Sequence, residues 1–172
     1  MSWELIIAWG IAFFAILTLG FISYRIMKHT ERIQQFSLVK ERQRLSFPLR
    51  MQAYERLVIF LERINPLALS KRLLTNPNAS ARQHYLNMIN TINAELEHNI
   101  SQQVYVSSTA WEEVLSARDK VVALLNLALK SLPSNAKAKD YHNVIIKLYM
   151  ESEEHPTKNA IEFLKEEARK LL

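Results

Sequence analysis

A chain of 172 residues has room for one compact domain and a short appendage, and the absence of cysteine excludes disulfide frameworks, thiolate metal sites and cysteine nucleophiles. Its only glycines are Gly10 and Gly20, so nothing later offers a glycine-rich phosphate loop or a glycine hairpin turn, and an all-α fold is expected. The net charge of +5 is unevenly shared, with 11 Lys or Arg against 4 acids over 25–72 and 11 against 12 over 73–172.

In chain order, residues 5–24 come first, an unbroken run of 20 uncharged, mostly apolar side chains. At 1.5 Å per residue it matches the roughly 30 Å hydrocarbon core of a bilayer and predicts a transmembrane helix. Trp3 and Trp9 near one end and Tyr24 at the other stand where amphipathic rings prefer the interfaces. A cleavable signal peptide fits less well, because no basic segment precedes the run and no small-residue cleavage site follows it. Gly10 and Gly20 lack the GxxxG spacing of close-packed membrane helices. Glu4 is the only charged side chain before the run, while Arg25, Lys28, His29 and Arg32 follow it. The positive-inside rule then places the N-terminus outside and the rest of the chain in the cytoplasm, an inner-membrane location. With no ionisable group in the run, a proton or ion pathway through this helix has no candidate residue.

Residues 25–47 contain neither proline nor glycine, so the helix is expected to continue as a basic juxtamembrane stalk until Pro48 interrupts it. Arg25, Lys28, Arg32, Lys40, Arg42 and Arg44 are the residues expected to meet anionic headgroups, each contributing about 1 kcal/mol near the surface. Without an aromatic-interleaved groove or known motif, nucleic-acid binding gains no comparable support.

Beyond the stalk, a five-helix cytoplasmic bundle is expected over 48–172. Pro48 should open a helix over 48–64 with Ala53, Tyr54, Leu57, Val58, Phe60, Leu61 and Ile64 on its apolar face, ended by Asn65-Pro66. A loop around Pro77 leads to Ser80, a candidate cap for a helix over 81–102 striped by Tyr85, Met88, Ile89, Ile92, Leu96 and Ile100. Val104-Tyr105-Val106 has strand character but is too short for a sheet and reads as a connector. Thr109 with Glu112 has capping-box spacing for a helix reaching Leu132, which carries Trp111, Val114, Leu115, Val121, Val122, Leu125 and Leu129. Helices over 138–154 (Tyr141, Ile145, Leu148) and 157–171 (Ile161, Leu164, Leu171) complete the bundle, with Pro156 between them.

Chemistry is sparse. Glu95 and His98 have the Glu-x-x-His spacing of di-iron bundles, but no other histidine has a glutamate three residues earlier, and His98 falls opposite the apolar stripe. No metal site is predicted from it. Ser101, Ser107 and Ser108 read as loop and cap residues, since no base and orienting acid pair with them. Glu55 with Arg56 and Glu62 with Arg63 read as surface ion pairs beside a core.

Two strings, PLRMQAYERLVIFLERINP at 48–66 and EHNISQQVYVS at 97–107 with Trp111 after it, resemble an uncharacterised family of single-pass membrane-anchored proteins from Bacteroidota-type bacteria. The resemblance implies membrane anchoring and bacterial origin, and no activity. It also draws attention to Glu97, His98, Asn99, Gln102 and Gln103 as candidate partner-contact residues. A non-enzymatic scaffold or interaction protein of a bacterial envelope assembly is therefore expected, with the lipid bilayer and a membrane or cytoplasmic protein as partners and without cofactor or small-molecule substrate. The rival readings are an accessory subunit of a translocation or energy-transducing complex and, far behind, a metal-dependent enzyme at Glu95 and His98.

Overall fold

The computed structural model describes residues 2–153 and 155–172, with the side chains of 4–6, 8, 11, 12, 15, 26 and 29–45 not included. Among the described residues the regular elements are all helical: α1 (Trp3–Arg63), α2 (Pro66–Leu73), α3 (Ala81–Asn99), a 3₁₀ turn (Ile100–Val104), α4 (Ser108–Lys130), α5 (Ala138–Glu151) and α6 (Pro156–Arg169). The chain divides into two compact units, Met1–Ser46 and Phe47–Leu172.

Unit 1 is the N-terminal part of α1. Trp3, Ile7, Trp9, Phe13, Phe14, Ile16, Leu17, Leu19, Phe21, Ile22, Tyr24 and Met27 are each at least 50% exposed. At about 100° per residue the positions from 13 to 22 surround the helix. Among the described residues no helix is long and apolar enough to cross a membrane; Leu5, Ile6, Ala8, Ile11, Ala12 and Ala15 of the 5–24 run lie outside the described side chains.

Sequence reasoning ends a helix at Pro48, whereas α1 passes through it. Pro48 lies inside α1, where its missing N–H removes one i→i−4 hydrogen bond and carries the full interior penalty. The turns after it are held by burial: Ala53, Leu57, Phe60, Leu61 and Ile64 are all inaccessible to solvent. At about 1.5–3 kcal/mol for each large apolar side chain, that burial outweighs a proline penalty of about 3 kcal/mol.

Helix α2 was not among the expected elements. Asn65-Pro66 stops α1 but also starts α2, because the Asn65 carboxamide oxygen accepts the N–H groups of Leu67 and Ala68 while Pro66 takes the first helical position. The bundle of unit 2 thus has one helical segment more than the five expected. Three caps also differ. Ser80 makes no side-chain cap bond; an antiparallel bridge to Lys137 stands beside it, with Ala81 N–H donating to the Ala136 carbonyl at 3.0 Å and Ala138 N–H to the Ala79 carbonyl at 2.8 Å. These bonds tie the starts of α3 and α5 together. Helix α4 is capped by Ser107, not Thr109, through the Ala110 N–H at 2.9 Å. At the other end of α3, the Asn99 side chain donates back to the Glu95 carbonyl at 2.8 Å, and the chain tightens into the 3₁₀ turn instead of running on to residue 102.

The core joins Leu57, Phe60, Leu61 and Ile64 of α1 to Leu69, Met88, Ile92, Val114, Val121, Leu125, Tyr141, Ile145 and Leu164, all fully buried. Trp111 packs partly buried against it, and Ile100, expected in the stripe, is 51% exposed because the 3₁₀ turn carries it off the helical face.

Candidate functional site

The two strings that carry the family resemblance meet in unit 2. Arg56 and Arg63, seven residues apart, share a face of α1, and each finds a partner on α3. Arg63 Nη1 donates to both carboxylate oxygens of Glu95 at 3.1 and 3.2 Å. Arg56 Nη2 lies 3.0 Å from His98 Nε2; a guanidinium can only donate, so Nε2 accepts and the imidazole proton sits on Nδ1. Nearer the start of unit 2, Arg50 Nε donates to the Tyr105 carbonyl at 3.4 Å. The atoms of Glu95 and His98 that a metal would need are thus engaged by arginines, and among the described residues no cluster of three or more His, Asp or Glu side chains is placed to hold a metal ion.

Beside these pairs, Arg63, Asn90, Thr91, Ala94, Glu95 and His98 line an open groove of about 540 Å³. The 3₁₀ turn that follows α3 carries two large exposed apolar side chains, Ile100 and Val104, and Tyr105 directly after it is exposed as well. Of the candidate contact residues, Glu97, His98 and Gln103 are exposed, and His98 lines the groove. Asn99 and Gln102 are not: they are 4% and 7% exposed, turned inward by the 3₁₀ geometry, and both bond within the segment, Asn99 to the Glu95 carbonyl and Gln102 to Ser101 Oγ. These two side chains shape the turn. Of the candidate membrane-surface cations, Arg25 and Lys28 are exposed, their charges 5.9 and 5.6 Å from the ring centroids of Phe21 and Tyr24. Arg32, Lys40, Arg42 and Arg44 lie outside the described side chains.

A clasp closes the same end of the bundle. The Glu167 carboxylate on α6 accepts from Tyr54 of α1 at 2.8 Å and from the Ser107 hydroxyl at 2.7 and 2.9 Å. Burial, and then the Glu167 carboxylate, hold the Tyr54 phenol above its ordinary pKa. One glutamate therefore links the first helix of the core, the cap of α4 and the last helix.

The second constellation escaped sequence reasoning. Ser70 on α2 is wholly buried, and its hydroxyl lies 3.2 Å from His84 Nε2 on α3 and 2.8 Å from His142 Nδ1 on α5. His84 is 3% exposed and meets the ring of Tyr141 edge-on at 5.9 Å. Its pKa is lowered by burial and then by His142; that of His142 is lowered by burial and then by Lys71. A serine between two imidazoles suggests a nucleophile with its base, but a hydroxyl sealed from solvent reaches no substrate. The group acts as a hydrogen-bonded joint of three helices. Its one sequence signal was spacing, since His84 precedes Met88 and Ile92 by four and eight residues and so belongs to the buried line of α3.

No curated protein and no solved structure matches the chain. A family model, however, matches residues 2–171, and the chain belongs to that family, the family of unknown function DUF7935.

Proposed function

We propose that this chain is a non-enzymatic, single-pass membrane-anchored interaction protein of a bacterial envelope assembly, with 5–24 as the span, the N-terminus outside the inner membrane and unit 2 in the cytoplasm. The single observation that carries the reading is the exposure of large apolar side chains all around α1 from Trp3 to Met27. A helix apolar on every side requires burial by something other than its own chain, and lipid is the solvent that covers all sides at once. The sequence of the run contributes 20 uncharged residues, the length a bilayer needs. Exposed Arg25 and Lys28 stand at the end where headgroups would begin. The same reading extends single-pass anchoring and a Bacteroidota-type origin to the family.

For the cytoplasmic unit, the partner-facing surface of this reading is the groove along Arg63, Glu95 and His98 with the neighbouring Ile100, Val104 and Tyr105. A protein partner suits it better than a small molecule, because the groove is open and its charges already form pairs. Extraction and co-purification test the proposal together. The chain should stay in native membranes through alkaline carbonate and, in mild detergent, should co-purify with one protein at fixed stoichiometry, an association lost on Val104→Asp. Release by carbonate overturns the anchor; a monodisperse monomer overturns the interaction.

A further inference from the structure

We propose that Ser70, His84 and His142 form a proton-counting latch, which holds α2 against α3 and α5 while the site carries at most one excess proton and releases α2 when it takes up a second. The count follows from the donors and acceptors available. A serine hydroxyl supplies one hydrogen and two lone pairs, and a neutral imidazole one N–H and one bare nitrogen. With both rings neutral, Ser70 donates to one imidazole and accepts from the other, and both contacts, at 2.8 and 3.2 Å, are satisfied. One added proton is absorbed by turning the hydroxyl: the charged ring donates to Oγ, and Oγ donates to the neutral one. After a second proton both rings can only donate, the serine hydrogen has no imidazole left to accept it, and two cations face each other across one buried oxygen.

The groups around the pair offer that doubly charged state one further cation and otherwise neutral side chains. Helix α2 presents Lys71, a third cation that already acts on His142. Helix α5 presents Tyr141 against His84, with Tyr85 of α3 edge-on to it. Helix α4 supplies neutral acceptors to those phenols, the Leu125 carbonyl for Tyr141 at 2.9 Å and the Asn126 side chain for Tyr85 at 2.7 Å. No group in this set is a carboxylate that could offset the charge. Helix α2 is the element that yields, being the shortest of the six α-helices at 8 residues, with Asn65 as its cap and only Pro66, Leu69 and Ser70 buried.

The sign is that of histidines held neutral by the fold. Folded-state pKa values below the ordinary 6.5 mean that the open form binds more protons, so the latch is fully closed above about pH 6.5 and weakens as pH falls below it. Hydrogen exchange on the full chain in detergent micelles tests this. Between pH 7.5 and 5.0, after correction for intrinsic rates, protection of amides in 66–73 should fall at least about tenfold, while that of α4 changes less than about twofold. In the double variant His84→Gln, His142→Asn, whose amides hold the same positions without titrating, the fall in α2 should disappear. Unchanged α2 protection in the parent at pH 5.0, or the same fall in the double variant, overturns the latch. Should the double variant not fold, NMR titration of the parent histidines decides: a second protonation step of the pair with its midpoint below 6.5 supports the latch, and both steps at or above 6.5 overturn it.

Discussion

The two units spend their apolar residues in opposite ways. In unit 2, Phe60 is wholly enclosed by its own chain; in unit 1, Phe13 is 66% exposed. Both phenylalanines sit on the same helix, so helix propensity cannot explain the difference. What separates them is periodicity. From Ala53 to Ile64 the buried apolar positions keep to one side and leave Arg56, Ile59 and Arg63 for the other, whereas from 5 to 24 apolar residues occupy every side. A one-sided pattern buries against neighbouring helices, and an all-round pattern needs a surrounding apolar medium.

The largest expected effect separates the units directly. Phe60→Ala should cost about 3–5 kcal/mol of unit 2 stability, read as a lower denaturant midpoint by circular dichroism in micelles, and Phe13→Ala should leave the same transition in place. If Phe13→Ala destabilises unit 2 as much, the division into independent units fails. Next comes a charge in the run. Leu17→Arg should raise the cost of insertion by about 2.5–3.5 kcal/mol, visible as loss of the chain from the carbonate-resistant membrane fraction; retention would argue that 5–24 is not a span.

A smaller effect concerns the element that sequence reasoning missed. Asn65→Ala removes the cap of α2 and the bonds from the Asn65 amide to Tyr149 Oη and Thr157 Oγ1, at 3.2 and 3.3 Å. A loss of about 1–2 kcal/mol is expected, with exchange of 66–73 rising first.

Why that helix escaped, while α3 to α6 were legible to within a few residues, is a matter of length and reach. Long helices repeat their stripe often enough to be read: Met88 and Ile92, or Val114, Val121 and Leu125, announce both the helix and its buried side. Helix α2 is little more than two turns, and Asn65-Pro66 reads as a stop unless its second meaning, a cap with proline after it, is also weighed. The caps were misplaced for a different reason. Ser80 and Thr109 have the right side chains, but tertiary bonds to Ala136 and Glu167 set where α3 and α4 begin. Of the polar sites, only Glu95 with His98 was visible, because they lie on one helix. Ser70 bonds to partners 14 and 72 residues away, and no local pattern encodes such a meeting.

The smallest expected effect bears on what the visible pair is for. The side chain of Arg63 is 53% exposed and that of Glu95 19%, and a single guanidinium nitrogen spans both oxygens instead of forming a two-pronged fork. A double-mutant cycle with Arg63→Ala and Glu95→Ala should therefore return a coupling of about 0.2–1 kcal/mol, shrinking as salt rises. So weak a pair contributes little to holding α1 in the bundle, where Leu57 and Leu61 are fully buried in the core. If the groove is a contact surface, the same substitutions should weaken co-purification of the partner far more than they lower the unfolding midpoint. A coupling well above 1 kcal/mol, with partner recovery unchanged, would instead make Arg63 and Glu95 a structural tie and move the search for a contact surface to the exposed side chains of the 3₁₀ turn.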